Sequence, residues 1–121
     1  MHQGLKYRKS IKEALETVLR IDPGFEDGSA DRALGRWYAK VPRLFGGSDR
    51  EAEAHLRASL KYDPNNTASH LFLAELFLEN DRKADARAEL QAVLDAPVHA
   101  EWTPEDREFK QRAKALLEKT R

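Results

Sequence analysis

The chain has 121 residues, with 21 Lys and Arg against 21 Asp and Glu, and no cysteine. That length supports one domain with a single core and excludes a multi-domain enzyme. Zero net charge argues against a protein that coats nucleic acid or an anionic membrane, and the missing cysteines exclude disulfides, thiolate zinc sites and thiol nucleophiles.

The first ten residues, MHQGLKYRKS, carry charge with no apolar run behind them, so they do not read as a signal peptide. A first helix is predicted over Lys6 to Ile21, with Ile11, Leu15, Val18 and Leu19 recurring on one face. A second runs from Ser29 to Val41 and stops at Pro42. The third begins at Ser48, where Ser48 and Glu51 form the pattern of a capping box, and it turns Ala52, Leu56 and Leu60 inward. The fourth spans Thr67 to Asn80. A fifth is predicted from Asp81, a favourable N-cap, to Asp95, with Ala86, Leu90, Val93 and Leu94 inward. The sixth starts at Thr103, with Pro104, Glu105 and Asp106 suited to a helix N-terminus and a stripe of Phe109, Ala113, Leu116 and Leu117. No segment alternates as a half-buried strand does, so the fold class is all-α. The longest apolar run, Leu71 to Leu78, is broken by Glu75 and falls far short of the roughly 20 residues of a membrane span. No membrane insertion is expected, and the compartment reads as cytoplasmic or periplasmic.

Three helical stretches end at a proline, at 23, 64 and 97, with spacings of 41 and 33 residues. A period near 34 marks a stacked helical-pair repeat, the longer interval holding about seven extra residues. In the better copy His70, Leu73-Ala74, Phe77, Ala86, Leu90, Val93 and Pro97 recur at fixed offsets. In the other copy the matching residues are Leu34-Gly35, Tyr38, Ala52, Leu56, Ser59 and Pro64. Segment 67–97 resembles a tetratricopeptide repeat, and 29–64 a divergent copy with an insertion. Residues 6–23 read as a partial repeat helix and 103–121 as the capping helix that a stack needs. The resemblance implies one TPR-like right-handed stack of about six helices, with the first helix of each pair lining a concave groove. A second resemblance rests on Ala33-Leu34-Gly35-Arg36-Trp37-Tyr38, then Val41-Pro42, then Gly46-Gly47-Ser48. These stretches are similar to the TRAP transporter T-component family, which implies a small periplasmic protein associated with a solute transport system.

No catalytic constellation is visible. The four histidines, His2, His55, His70 and His99, share no i, i+4 spacing, so neither a metal site nor an enzyme is expected, and no cofactor. His99-Ala100-Glu101 lacks the cysteines that a zinc deaminase requires. His70 reads as a half-buried packing residue.

From Arg32 to Ser48 there are four basic residues and no acid. Arg32, Arg36 and Lys40 stand at i, i+4 and i+8 on one helix face. The repeat resemblance places them on the groove side, where they either engage an acidic segment or pair with Glu75 and Glu79. The fourth helix is apolar all round, and packing within the repeat leaves Leu71, Phe72 and Leu78 to be covered by the terminal helices or by a partner. Trp37 and Tyr38 read as seam packing. Leu44 and Phe45, beside Arg43 in a glycine-ended loop, are expected to tuck against the first helix or another subunit.

The leading expectation is a non-enzymatic scaffold that binds a protein or peptide segment through Arg32, Arg36, Lys40, Leu71, Phe72, Glu75, Leu78 and Glu79. The alternative is a periplasmic TRAP-transporter-associated accessory protein that oligomerises and binds or passes a small solute. A third is self-assembly through the loop Arg43, Leu44, Phe45. Nucleic acid is not an expected partner.

Overall fold

The computed structural model describes residues 2–98 and 103–120. Met1 and the His99-Ala100-Glu101 segment lie outside them. The described residues form six α-helices and no strand: α1 His2–Ile21, α2 Ser29–Lys40, α3 Asp49–Ser59, α4 Thr67–Glu79, α5 Lys83–Asp95 and α6 Thr103–Lys119. Short 3-10 turns at Phe25–Asp27 and Arg43–Phe45 flank α2. The chain divides into two compact units, Met1–Asp63 and Pro64–Arg121. In the first, α2 packs on α3 and α1 on α2; in the second, α4, α5 and α6 pack on one another.

In the first unit α2 and α3 run antiparallel, because Gly28 lies beside Ser59 and the Ser48 N–H donates to the Tyr38 carbonyl (3.0 Å). Their seam is very close. A Cβ added to Gly35 would meet Leu56 Cγ at 2.6 Å and the Ala52 carbonyl oxygen at 3.1 Å. Only a residue without a side chain lets α3 lay Leu56 across α2 at that point. Leu34, Ala52, Leu56 and Ser59 are buried around the contact.

The second unit uses the same positions. Ala74 stands where Gly35 does, three residues before Phe77 as Gly35 is before Tyr38, and Ala86 and Leu90 repeat the spacing of Ala52 and Leu56. Leu73, Ala74, Phe77, Ala86, Leu90 and Val93 are all buried. Here the third helix adds a second layer. Leu71, Ala74, Leu90, Val93 and Ala113 form a buried cluster, and Leu94, Phe109, Leu116 and Leu117 pack against it. Two polar contacts, one buried and one half-buried, anchor α6. Thr67 Oγ1 donates to Asp106 Oδ1 (2.7 Å), and the Lys110 ammonium donates to the carbonyls of Val93 (2.7 Å), Leu94 (2.9 Å) and Ala96. These are carbonyls that the last turn of α5 leaves without amide partners, and a cation is the group that the helix dipole favours there.

Several boundaries differ from the sequence expectation for local reasons. The first helix begins at His2, four residues earlier than expected. Ser48 caps α3 by accepting from the Glu51 N–H (3.1 Å), but the Ser48 N–H is taken by Tyr38, so the capping box is one-sided. Asp81 is not the N-cap of α5. It adopts a left-handed conformation (φ 58°) in the turn after α4, and Arg82 takes the N-cap position, its N–H donating to Phe77 (2.8 Å). The Arg82 guanidinium then lies 4.2 Å from the Phe77 ring centroid and donates to Asp85 (2.9 Å).

Gly35→Ala tests the seam. The added methyl collides with a fully buried leucine, at a cost of about 1–3 kcal/mol for overpacking, against about 1 kcal/mol gained in helix propensity. Urea unfolding should show a net loss of about 1 kcal/mol, whereas Gly4→Ala, with nothing within 4 Å, should not destabilise.

Candidate functional site

The cationic face of α2 is not uniform. Arg32 is half-buried and its guanidinium donates to the Asp27 carbonyl (3.3 Å). Burial pushes Arg32 below its ordinary range, while the charges of Asp63, Asp27 and Glu26 pull it back up. Arginine keeps its charge in such a setting. The acids around Arg32, which are Asp63, Asp27 and Glu26, belong to its own unit. It serves the loop before α2, where Glu26 and Asp27 hold left-handed backbone (φ 46° and 55°) that costs non-glycine residues on the order of 1–2 kcal/mol each. Arg36 is half-buried, and Lys40 is exposed at the end of α2.

The fourth helix corrects a sequence expectation. Leu71 is fully buried in the α4–α5–α6 cluster, so it cannot line an open groove. Phe72 is half-buried with its ring edge-on to Phe109 of α6 (6.4 Å between centroids). Glu75 accepts from Arg112 of α6 (2.8 Å). Thus α6 covers the face that the sequence left open. Leu78 is half-buried, and Glu79 is exposed.

The loop between α2 and α3 goes the other way. Leu44 is 86% exposed and Phe45 is 40% exposed; neither tucks away. The reason lies in the glycines. A Cβ on Gly46 would contact the Trp37 ring at 3.4 Å, so backbone, not Leu44 or Phe45, occupies the space above that ring. The backbone is well tied. Phe45 and Gly47 N–H both donate to the Pro42 carbonyl (2.9 and 3.0 Å), and Gly46 N–H to Arg43 (3.1 Å). A Cβ on Gly47 would fall 1.6 Å from the Val41 carbonyl oxygen, so no other residue fits. Arg43 is exposed and 3.6 Å from Asp49. The result is an apolar tip on a fixed loop, with Lys40 and Arg43 close to it in sequence.

Beneath the loop lies a polar ladder that the sequence reading missed. Trp37 Nε1 donates to the Arg8 carbonyl (2.8 Å), and the Lys12 ammonium stands over the Trp37 and Tyr38 rings (5.5 and 5.4 Å). Tyr38 stacks parallel to His55 (5.6 Å, 5° between planes), and His55 Nδ1 bonds the buried carboxylate of Asp31 (2.8 Å). The second unit contains the same contact with the partners exchanged. His70 Nδ1 meets Glu89 Oε2 (2.5 Å), while its Nε2 meets the Pro64 carbonyl (2.7 Å). His70 stands three residues before Leu73 as Asp31 stands three before Leu34, and Glu89 precedes Leu90 as His55 precedes Leu56. Both partners of His70 only accept, so the imidazolium form satisfies both contacts at once. No local spacing reveals these pairs, since they join residues 24 and 19 apart.

These are helix-locking pairs. His55 Nε2 has Glu51 Oε2 at 3.8 Å, which positions no nucleophile for general-base catalysis. Among the described residues no group of three or more His, Asp or Glu side chains could hold a metal ion, and no helix is long and apolar enough to cross a membrane.

The geometry defines an all-helical protein whose buried polar groups hold its own helices together and whose distinctive surface is a fixed apolar loop. Over residues 2–121 the sequence matches the TRAP transporter T-component family, and the chain belongs to that family. No curated protein matches it.

The exchanged pairs make a prediction. His55→Glu sets two carboxylates together and should cost about 3 kcal/mol in urea unfolding. Adding Asp31→His, which recreates the order found at His70 and Glu89, should recover most of the loss. Equal instability of the single and double variants would show that the two helical pairs are not interchangeable.

Proposed function

We propose that this chain is a non-catalytic accessory component of a TRAP transport system and works by docking a protein partner. Its helical pairs are taken as tetratricopeptide-type units, and the compartment as the periplasm in which such systems meet their solutes. The observation that carries the docking surface is the 86% exposure of Leu44 on a loop whose backbone is tied by Pro42, Arg43 and Tyr38. An exposed apolar side chain on a backbone already fixed by hydrogen bonds gains by being covered, with little backbone entropy left to lose. Lys40 and Arg43, both exposed and next to the loop in sequence, add positive charge to the same region, which steers an acidic partner surface. Phe72, Leu78 and Glu79 are a second candidate contact, borne by the other unit. The partner that fits the family membership is the solute-binding subunit of the same transport system, with any solute handled through that partner.

Lys40 and Leu44 are both exposed, so Lys40→Glu with Leu44→Asp should leave the melting temperature within about 2 °C of wild type. The same pair should weaken capture of the purified solute-binding subunit at least about tenfold in a surface-binding assay. Undiminished capture would remove the loop from the interface. No capture by the wild type would remove the proposed partner.

A further inference from the structure

His70 joins three parts of the second unit: α4, which carries it, α5, and the segment before α4. It stands near the start of α4, just beyond the residues tied by the Asn66 cap. Its Nδ1 faces the Glu89 carboxylate on α5 (2.5 Å), and its Nε2 faces the Pro64 carbonyl (2.7 Å). Pro64 is the first residue of the second unit, so that carbonyl belongs to the segment by which the chain enters it. The His70 and Glu89 side chains are only 13% and 16% exposed, so water and salt screen the pair little. Neither an ionised carboxylate nor a carbonyl can donate. The ring makes both contacts only when both of its nitrogens carry a proton.

The charges around α4 favour that form. The helix N-terminus disfavours a cation, but a half-buried carboxylate in hydrogen-bond contact outweighs it. The other charged groups on the helices packed against α4 are engaged elsewhere or lie in solvent. On α5 and its N-cap, Arg82 donates to Asp85, while Lys83, Arg87 and Asp95 are exposed. On α6, Asp106 accepts from Thr67, Lys110 donates to the carbonyls that end α5, and Arg112 pairs with Glu75 of α4. The remaining charged residues of α6 are exposed, as is Glu79 at the end of α4. Asp63, next to Pro64 in sequence, acts on Arg32.

We infer that His70 is a pH-sensitive latch on the entry to the second unit. At neutral pH, where a free imidazole has mostly lost its second proton, His70 keeps it and bridges α5 to the Pro64 carbonyl. Alkali removes that proton to hydroxide, and one ring nitrogen becomes an acceptor. Charge-assisted bonds are the stronger, so the remaining N–H stays at Nδ1 on Glu89. Nε2 then turns a lone pair towards the Pro64 carbonyl, and the two repel. Thus α4 and α5 stay joined while the entry segment loses a tie. The second proton is held more tightly in the folded chain than in the unfolded one. The stabilisation is therefore whole below the pH at which the unfolded imidazole titrates, and is lost as pH rises through the value of the folded chain. His55 makes no such latch, because its acids, Asp31 and Glu51, lie within α2 and α3. Nothing in the latch depends on the transport reading.

Long-range proton–nitrogen NMR correlation of the imidazoles in the full chain tests it, with His70→Gln assigning the His70 signals by their loss. Both ring nitrogens of His70 should be protonated at neutral pH, and the ring should titrate in one step on the alkaline side. The Asn65 amide, on the peptide group that contains the Pro64 carbonyl, should shift with the same midpoint. Glu89→Gln removes the charge and should lower the pH at which His70 titrates by about one pH unit or more, towards the ordinary value of roughly 6.5. In urea unfolding the wild-type midpoint should fall as pH rises through the His70 titration, and that of His70→Gln, which has no proton to lose, should fall less. A His70 ring that is neutral at neutral pH overturns the latch. So does an Asn65 amide that ignores the titration, a Glu89→Gln chain in which His70 titrates where it did before, or an equal pH dependence of the wild type and His70→Gln.

Discussion

The structure depends on one steric condition, the approach of paired helices at a residue with almost no side chain. At Gly35 even a methyl group would fall 2.6 Å from Leu56 Cγ. At the corresponding position of the second unit Ala74 is buried in one cluster with Leu90, so that pair leaves room for a methyl group but no more. Once the backbones are that close, leucine from one helix spans the groove of the other, and each pair becomes a packed wedge with buried Leu34 or Leu73 behind it. Ser48 loses its reciprocal cap because Tyr38, carried in by the seam, takes its N–H.

Close approach also decides what the polar residues do. Asp31 and Glu89 are held against His55 and His70, and Lys110 is drawn into the end of α5. A carboxylate at such a depth is costly unless paired, so these side chains are committed to structure. That the acid and base exchange places between the two units shows that the contact, not the residue at either end, is what the fold requires. The Leu44 loop lies outside the wedges and stays exposed.

Much of the architecture was legible in sequence. The all-α class, the six helices and the apolar stripe of α6 follow from 3.6-residue periodicity and from proline and capping signals, which are local. The repeat offsets locate Leu73, Ala74, Phe77, Ala86, Leu90 and Val93, all of them buried. The candidate site was less legible. Arg32 shares a face with Arg36 and Lys40 in any helical wheel, yet its burial beside Asp63 depends on how α2 and the end of α3 meet. Leu71 looked available because its cover, α6, lies some 40 residues along the chain. Leu44 and Phe45 looked destined for burial because apolar residues usually are, and the backbone of Gly46 took the place against Trp37 instead.

By itself, then, the sequence determined which segments are helical, where they stop, which residues are small enough for a seam, and the similarity that family membership made definite. Those properties rest on interactions spanning a few residues, or on patterns repeated along the chain. Tertiary structure alone decided which apolar faces are covered and which charges are already satisfied. Both depend on contacts between distant residues, such as Leu71 with Ala113, Glu75 with Arg112 and Asp31 with His55.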